Sequence, residues 1–283
     1  MKKMRNKTRL GISTYSYPYA FGMKGFDPPQ KMDAFELIKK AIEFQLHVVQ
    51  IADNYPLHIL SDKELQELDR YAQENKISIE VGTRGIEHNN LVQYIHITEK
   101  LHSNLLRVVI DTDNDKPTQE EVISRLEKVI PMFEERKIIL GIENHDRFKS
   151  SVFAEIIKTI NSPYVGIVLD TVNSFACEEG TKQVLDELAP YTVNFHMKDF
   201  RIERIPNALG LMVTGTIAGE GRLDFLKVLS NLEIRAKTDF STIIELWMPP
   251  EKSKEQTLEK EKFWVKQSVE NLKRLMNLEK EIL

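Results

Sequence analysis

A chain of 283 residues exceeds the usual length of one domain but sits close to the size of a (β/α)8 barrel, and 41% hydrophobic with 29% charged residues excludes wholesale disorder. A net charge of −4, from 39 Lys+Arg against 43 Asp+Glu, leaves no positive field to collect nucleic acid or an anionic membrane, so a small polar molecule is the expected partner. A single cysteine, Cys177, cannot form an intramolecular disulfide, which points to a reducing compartment and, by default, the cytoplasm.

Short apolar runs alternate with longer amphipathic stretches along the chain, the βαβα pattern of a parallel sheet. The basic stretch Met1–Arg9 is followed only by the apolar run Leu10–Ile12, too short for a signal peptide, and no run approaches the roughly 20 apolar residues needed to span a bilayer. Strands are expected at Arg9–Thr14, His47–Ile51, Ile77–Val81, Leu105–Ile110, Ile138–Glu143, Tyr164–Asp170, Thr192–His196 and Ser241–Leu246. Helices are expected between and after them at Asp33–Phe44, Ser61–Asn75, Asn90–Leu101, Thr118–Glu135, Ser151–Ile160, Thr181–Leu188, Asp224–Ile234 and Lys254–Met276. Asp33, Ser61 and Thr118 stand where N-caps belong, and Glu121 three residues after Thr118 completes the spacing of a capping box.

Eight β/α pairs could close into a barrel or form an open doubly wound sheet. No Gly-rich phosphate loop follows the first strand, where Gly11 leads into Ile12-Ser13-Thr14-Tyr15, so one (β/α)8 barrel domain over residues 1–283 is expected. The longest irregular stretch, Phe200–Arg222, has the length of a binding loop or lid and is expected to border the site.

In such a barrel the reactive groups stand at the C-terminal ends of the strands, and four consecutive strands end on ligand-type side chains. These are Glu143, Asp170, His196 and Glu245, the first three 27 and 26 residues apart, about one β/α unit each. Carboxylates set among Ile, Val and Leu are costly to bury without a cation or hydrogen-bond donors. A single divalent ion is the simplest compensation, with a buried network of Lys and Arg as the structural alternative. Three carboxylates and one imidazole make a hard site, better suited to Mn²⁺, Mg²⁺ or Co²⁺ than to structural zinc.

The series Ile142-Glu143-Asn144, Leu169-Asp170-Thr171, Phe195-His196-Met197-Lys198-Asp199 and Ile244-Glu245-Leu246 resembles the xylose isomerase-like TIM barrels. The likeness is greatest to sugar epimerases of the tagatose/psicose 3-epimerase type and the wider sugar phosphate isomerase/epimerase group, and it covers nearly the whole chain. The resemblance implies that Glu143 and Glu245 bind the metal and also act as the acid/base pair on opposite faces of the substrate. A metal that polarises a ketone makes the adjacent C–H acidic, which agrees with an enediolate route. One departure is Asn173, where those epimerases carry a histidine three residues after the strand-six aspartate. The segment from His196 to Phe200, with Gly215-Thr216 and Gly219-Glu220-Gly221, instead looks like a subgroup that includes 3-oxo-isoapionate decarboxylase.

Substrate contacts are expected from His145, Asn173, Lys198, Arg201 and Arg107. For His145 the alternative is a hydrogen-bonded loop histidine, for Lys198 and Arg107 an ion pair, and for Arg201 a solvated surface charge. The leading functional expectation is a metal-dependent isomerase or epimerase of a ketose or related polyhydroxy compound. A metal-dependent decarboxylase of a 3-oxo sugar acid is the second, distinguished by a cationic pocket for the substrate carboxylate. A DNA-repair nuclease would need a histidine-rich trinuclear zinc site, and only His145 and His196 stand at strand ends here. A sugar-binding protein without turnover, and assembly into a homo-oligomer, stay open at this stage.

Overall fold

The structure is a computed structural model that describes residues 8–207 and 209–282, with side chains defined as far as residue 277. The basic stretch Met1–Arg9 therefore lies outside the described residues except for its last two positions.

Eight parallel strands close into a barrel: β1 (Thr8–Ser13), β2 (Val48–Ile51), β3 (Ser78–Arg84), β4 (Leu105–Val109), β5 (Ile139–Glu143), β6 (Val165–Asp170), β7 (Thr192–Met197) and, after an inserted hairpin, β10 (Phe240–Ile244). Each strand pairs with its neighbours in chain order and β10 closes the ring against β1, so the fold is the (β/α)8 barrel anticipated from the periodicity. The strands read as near-continuous apolar runs because both faces are covered, the inner by the barrel core and the outer by helices.

The helices begin where the cap residues predict. Asp33, Ser61 and Thr118 each accept a backbone N–H three residues on, and the carboxylates of Glu36, Glu64 and Glu121 accept from the cap residue's own N–H.

Two expectations need correction. The single helix over Thr118–Glu135 is two, Gln119–Glu127 and Ile130–Arg136, because Pro131 has no N–H to donate and its ring crowds the preceding turn. The stretch Phe200–Arg222 is not wholly irregular: β8 (Phe200–Arg204) and β9 (Leu211–Gly215) form an antiparallel hairpin at the C-terminal mouth. Its alternation was masked by solvent exposure, which gives apolar and polar residues the same surroundings along most of both strands. No helix among the described residues is long and apolar enough to cross a membrane.

Candidate metal centre

Register brings the strand ends to one level. Asp170 lies directly across from His196 on β6 and β7, and His196 lies across from Ile243 on β10. Glu245 follows the end of β10, yet its N–H still bonds Met197 O and Leu246 N–H bonds Tyr15 O, which holds it at the rim. One ligand atom each from Glu143, Asp170 and His196 falls within 4.8 Å of the other two, and all three residues are buried. Glu245 stands just outside this triad, with Oε1 3.4 Å from His196 Nδ1.

The charges around the triad are partly balanced. The Arg107 guanidinium reaches Glu143 Oε2 at 2.6 Å through Nε and Nη2 and Asp53 Oδ1 at 2.6 Å through Nη1. Asn173 Nδ2 donates to Glu143 Oε1 at 2.9 Å. Burial alone would raise the Glu143 carboxyl, but Arg107 foremost, then His196 and Lys198, outweigh it and hold that carboxyl well below the usual range. Lys198 Nζ sits 2.7 Å from Asp170 Oδ2 and 3.0 Å from Glu245 Oε2. Burial opposes its charge, yet the carboxylates of Asp170, Glu245 and Glu143 raise it well above an ordinary lysine, so Lys198 is an ammonium.

The residues fit a divalent cation on one observation: Asp170 Oδ2 and His196 Nδ1 are buried without a hydrogen-bond partner. Lys198 approaches Asp170 Oδ2 closely but not along a hydrogen-bonding direction, so the contact is an ion pair only. His196 Nδ1 faces Glu143 Oε2 at 3.3 Å and Glu245 Oε1 at 3.4 Å, again without a directed bond. A lone pair pointed at carboxylate oxygens calls for either a proton or a metal ion. Burial disfavours the imidazolium, but Glu245 and Glu143 raise the His196 pKa above its ordinary value, the same field that would attract a cation.

A cavity of about 390 Å³ opens above the centre, lined by His145, Asp146, Asn173, Lys198, Val213, Phe175 and Trp247 among others. Three of the expected contact residues, His145, Asn173 and Lys198, thus share one wall. His145 Nδ1 also stands 3.0 Å from the Asp146 carboxylate. Val213 of β9 brings the hairpin to the cavity edge. Arg107 is 2% exposed and held by its two carboxylates, and Arg201 points away along the hairpin with Nη2 3.9 Å from Glu220 Oε2.

Sequence reasoning missed Gln50, Asp53 and Asp199. Gln50 bonds His196 Nε2 from within β2, and Asp53 anchors Arg107 from beyond the end of that strand. Asp199 binds the backbone N–H groups of Phe200, Gly219, Gly221 and Leu223. Gln50 carried a signal, a polar side chain between Val49 and Ile51 in a fully buried strand.

Residues 58–275 match the family model described as xylose isomerase-like TIM barrel. The chain is 30% identical over 263 residues to 3-oxo-isoapionate decarboxylase of Pectobacterium atrosepticum, covering 93% of this chain and 94% of that protein. Among solved structures, D-psicose 3-epimerase in the presence of D-fructose shares the fold with a TM-score of 0.68 at 14% identity, over 94% of this chain and 97% of that one. A xylose isomerase-like barrel from Mycobacterium smegmatis in complex with magnesium has a TM-score of 0.67 at 13% identity, over 94% of this chain and 98% of that one. The chain belongs to the xylose isomerase-like TIM-barrel family.

Proposed function

We propose that the whole chain works as one domain and is a divalent-metal-dependent decarboxylase of a 3-oxo sugar acid, a carbohydrate-derived substrate whose carboxylate is borne on the carbon next to a ketone. The observation that carries this reading is Lys198, an ammonium that lines the cavity and sits against Asp170 and Glu245. An ammonium on the cavity wall can also take a substrate carboxylate, an anion that a neutral ketose does not carry. The identity to 3-oxo-isoapionate decarboxylase supports the same class.

Glu143, Asp170, His196 and Glu245 are the residues that would hold the ion, with Mn²⁺, Mg²⁺ or Co²⁺ favoured by the oxygen-rich set. When bound, it supplies Lewis-acid stabilisation of negative charge on a carbonyl oxygen. Lys198 holds the substrate carboxylate and turns it beside the ketone. The bond between that carboxylate and its carbon breaks, the electron pair moves toward the ketone oxygen, and CO2 leaves. The carbon then takes one proton from the solvent side of the cavity, where His145 stands. Asn173 and Arg107 hold Glu143 in place, Arg107 keeps it ionised, and Asn173 also lines the cavity.

The epimerase reading is the second, and one observation favours it: Glu143 and Glu245 approach the same His196 Nδ1, as an acid/base pair flanking one substrate would. Against it, both Glu143 oxygens are engaged and its carboxyl is held low, which makes a weak base. The test is a metal-loaded screen of 3-oxo sugar acids and ketoses that follows CO2 and isomers together. CO2 release with deuterium from solvent only in product supports decarboxylation. Isomer formation from ketoses without CO2 would replace it with epimerisation.

A further inference from the structure

Below the metal centre, four polar side chains form a hydrogen-bonded chain through the barrel interior. Gln50, Glu80, Asn194 and His196 are all buried, and they come from β2, β3 and β7. His196 Nε2 lies 2.8 Å from Gln50 Oε1. Gln50 Nε2 donates to Glu80 Oε2 at 3.1 Å and to Asn194 Oδ1 at 3.4 Å, and Asn194 Nδ2 donates to the same Glu80 oxygen at 2.8 Å.

The polarity of this chain is fixed from its lower end. Glu80 Oε2 accepts from both amides, so the Gln50 NH2 group must face downward and its oxygen upward. An amide oxygen can only accept a hydrogen bond. A flipped Gln50 would set its oxygen against Glu80 Oε2 and Asn194 Oδ1, leaving Gln50 Oε1 and Asn194 Oδ1 buried without donors.

We infer that Gln50 is the positioning residue of the metal centre: its oxygen accepts from His196 Nε2–H and thereby keeps the Nδ1 lone pair aimed at Glu143, Asp170 and Glu245, while Glu80 and Asn194 hold Gln50 in that orientation. The inference rests on the metal-dependent reading above. A metal-bound imidazole whose second nitrogen is fixed by a hydrogen-bond acceptor has one tautomer and one ring orientation, and loss of such a partner weakens metal affinity by roughly 10- to 100-fold. His196 needs this help because Nδ1 itself has no hydrogen bond to hold the ring.

The experiment uses Co²⁺ and Zn²⁺ as probes. Zn²⁺-loaded protein labelled with ¹⁵N-histidine should show His196 with the proton on Nε2 and metal on Nδ1; the opposite arrangement overturns the inference without any variant. Titration with Co²⁺ should then show Gln50→Leu binding 10- to 100-fold more weakly, with displaced visible absorption bands. The exchange variant Gln50→Glu with Glu80→Gln keeps an acceptor toward His196 and a donor between the two positions, and should return affinity to within a few-fold of the parent. Wild-type affinity and bands in Gln50→Leu would overturn the role of Gln50, as would an exchange variant that binds no better than Gln50→Leu. Where Gln50→Leu does not fold, the exchange variant and the ¹⁵N spectrum decide. A wild-type protein that takes up neither ion sinks the metal reading itself, an outcome distinct from equal binding by all forms.

Discussion

At Arg107 a single guanidinium separates two carboxylates, the buried Glu143 and the partly buried Asp53. Asp53 is also held by Arg84 at 2.9 Å; burial would raise its carboxyl, but Arg107 and Arg84 together lower it. Arg107→Met should destabilise the fold by about 3–5 kcal/mol in urea unfolding, since it leaves charge buried without its partner. Arg107→Lys should not restore stability, because a point charge cannot bridge both carboxylates as the planar fork does. Lys198 should behave differently. Lys198→Met removes a cation beside Asp170 and Glu245, so metal uptake stays the same or tightens while kcat/KM for a 3-oxo sugar acid falls by roughly 30-fold or more, about 2 kcal/mol. Unchanged turnover in a metal-loaded Lys198→Met protein would remove carboxylate recognition from its role. Glu143, Asp170 and His196 stood out in the sequence because they recur 27 and 26 residues apart at or next to strand ends, whereas Glu245 follows only after the longer gap that holds the hairpin. The Arg107 partners were not legible, since Glu143 and Asp53 lie 36 and 54 residues away and are brought to it only by the lateral pairing of β2, β3, β4 and β5.

Among the elements, the hairpin of β8 and β9 is tied at its base by the Asp199 carboxylate, beside backbone bonds from Thr216 and Arg222. Asp199 Oδ1 accepts from Phe200 and Leu223 N–H, and Oδ2 accepts from Gly219 and Gly221 N–H, so the chain entering the hairpin is tied to the chain leaving it. The positive φ of Gly219, +85°, and the contact of Gly221 with the Asp199 carboxylate explain the spacing Gly219-Glu220-Gly221. A Cβ at Gly221 would overlap that carboxylate and Phe200 O, with no flexible side-chain end to move aside. Gly221→Ala should therefore speed hydrogen exchange at Gly219, at Leu223 and at the substituted position itself well above that of the barrel strands, and raise KM more than it lowers thermal stability. Exchange rates equal to the parent would show that another contact holds the hairpin. The sequence marked this segment as a site border by its length but not as strands. It likewise missed the break at Pro131, where the apolar period continues across a residue that cannot continue the helix.

Across the whole molecule, eight β/α units were readable because each apolar run had to be buried on both faces, and that pattern survives in sequence whatever the tertiary partners. The contact between the last helix and the segment after the first strand was not readable, and Glu261 shows why. It sits in the last helix, Lys254–Ile282, yet accepts from the backbone N–H groups of Tyr19 at 2.7 Å and Ala20 at 3.0 Å, residues more than 240 positions earlier. Burial pushes its carboxyl up from 4.5 to about 8, opposed by the two donated N–H groups. A raised pKa means that the folded state binds this proton more tightly than the unfolded one, so the group's contribution is fully present below about pH 4.5 and is lost as pH rises toward 8. Unfolding midpoints between pH 5 and 8.5 should therefore fall more steeply for the parent than for Glu261→Gln, which keeps one acceptor oxygen and cannot ionise. The two curves should lie closest at pH 5 and diverge upward, with Gln the more stable at pH 8.5. Parallel curves would mean that Glu261 is already ionised throughout the range in the folded protein, with the Tyr19 and Ala20 N–H groups outweighing its burial.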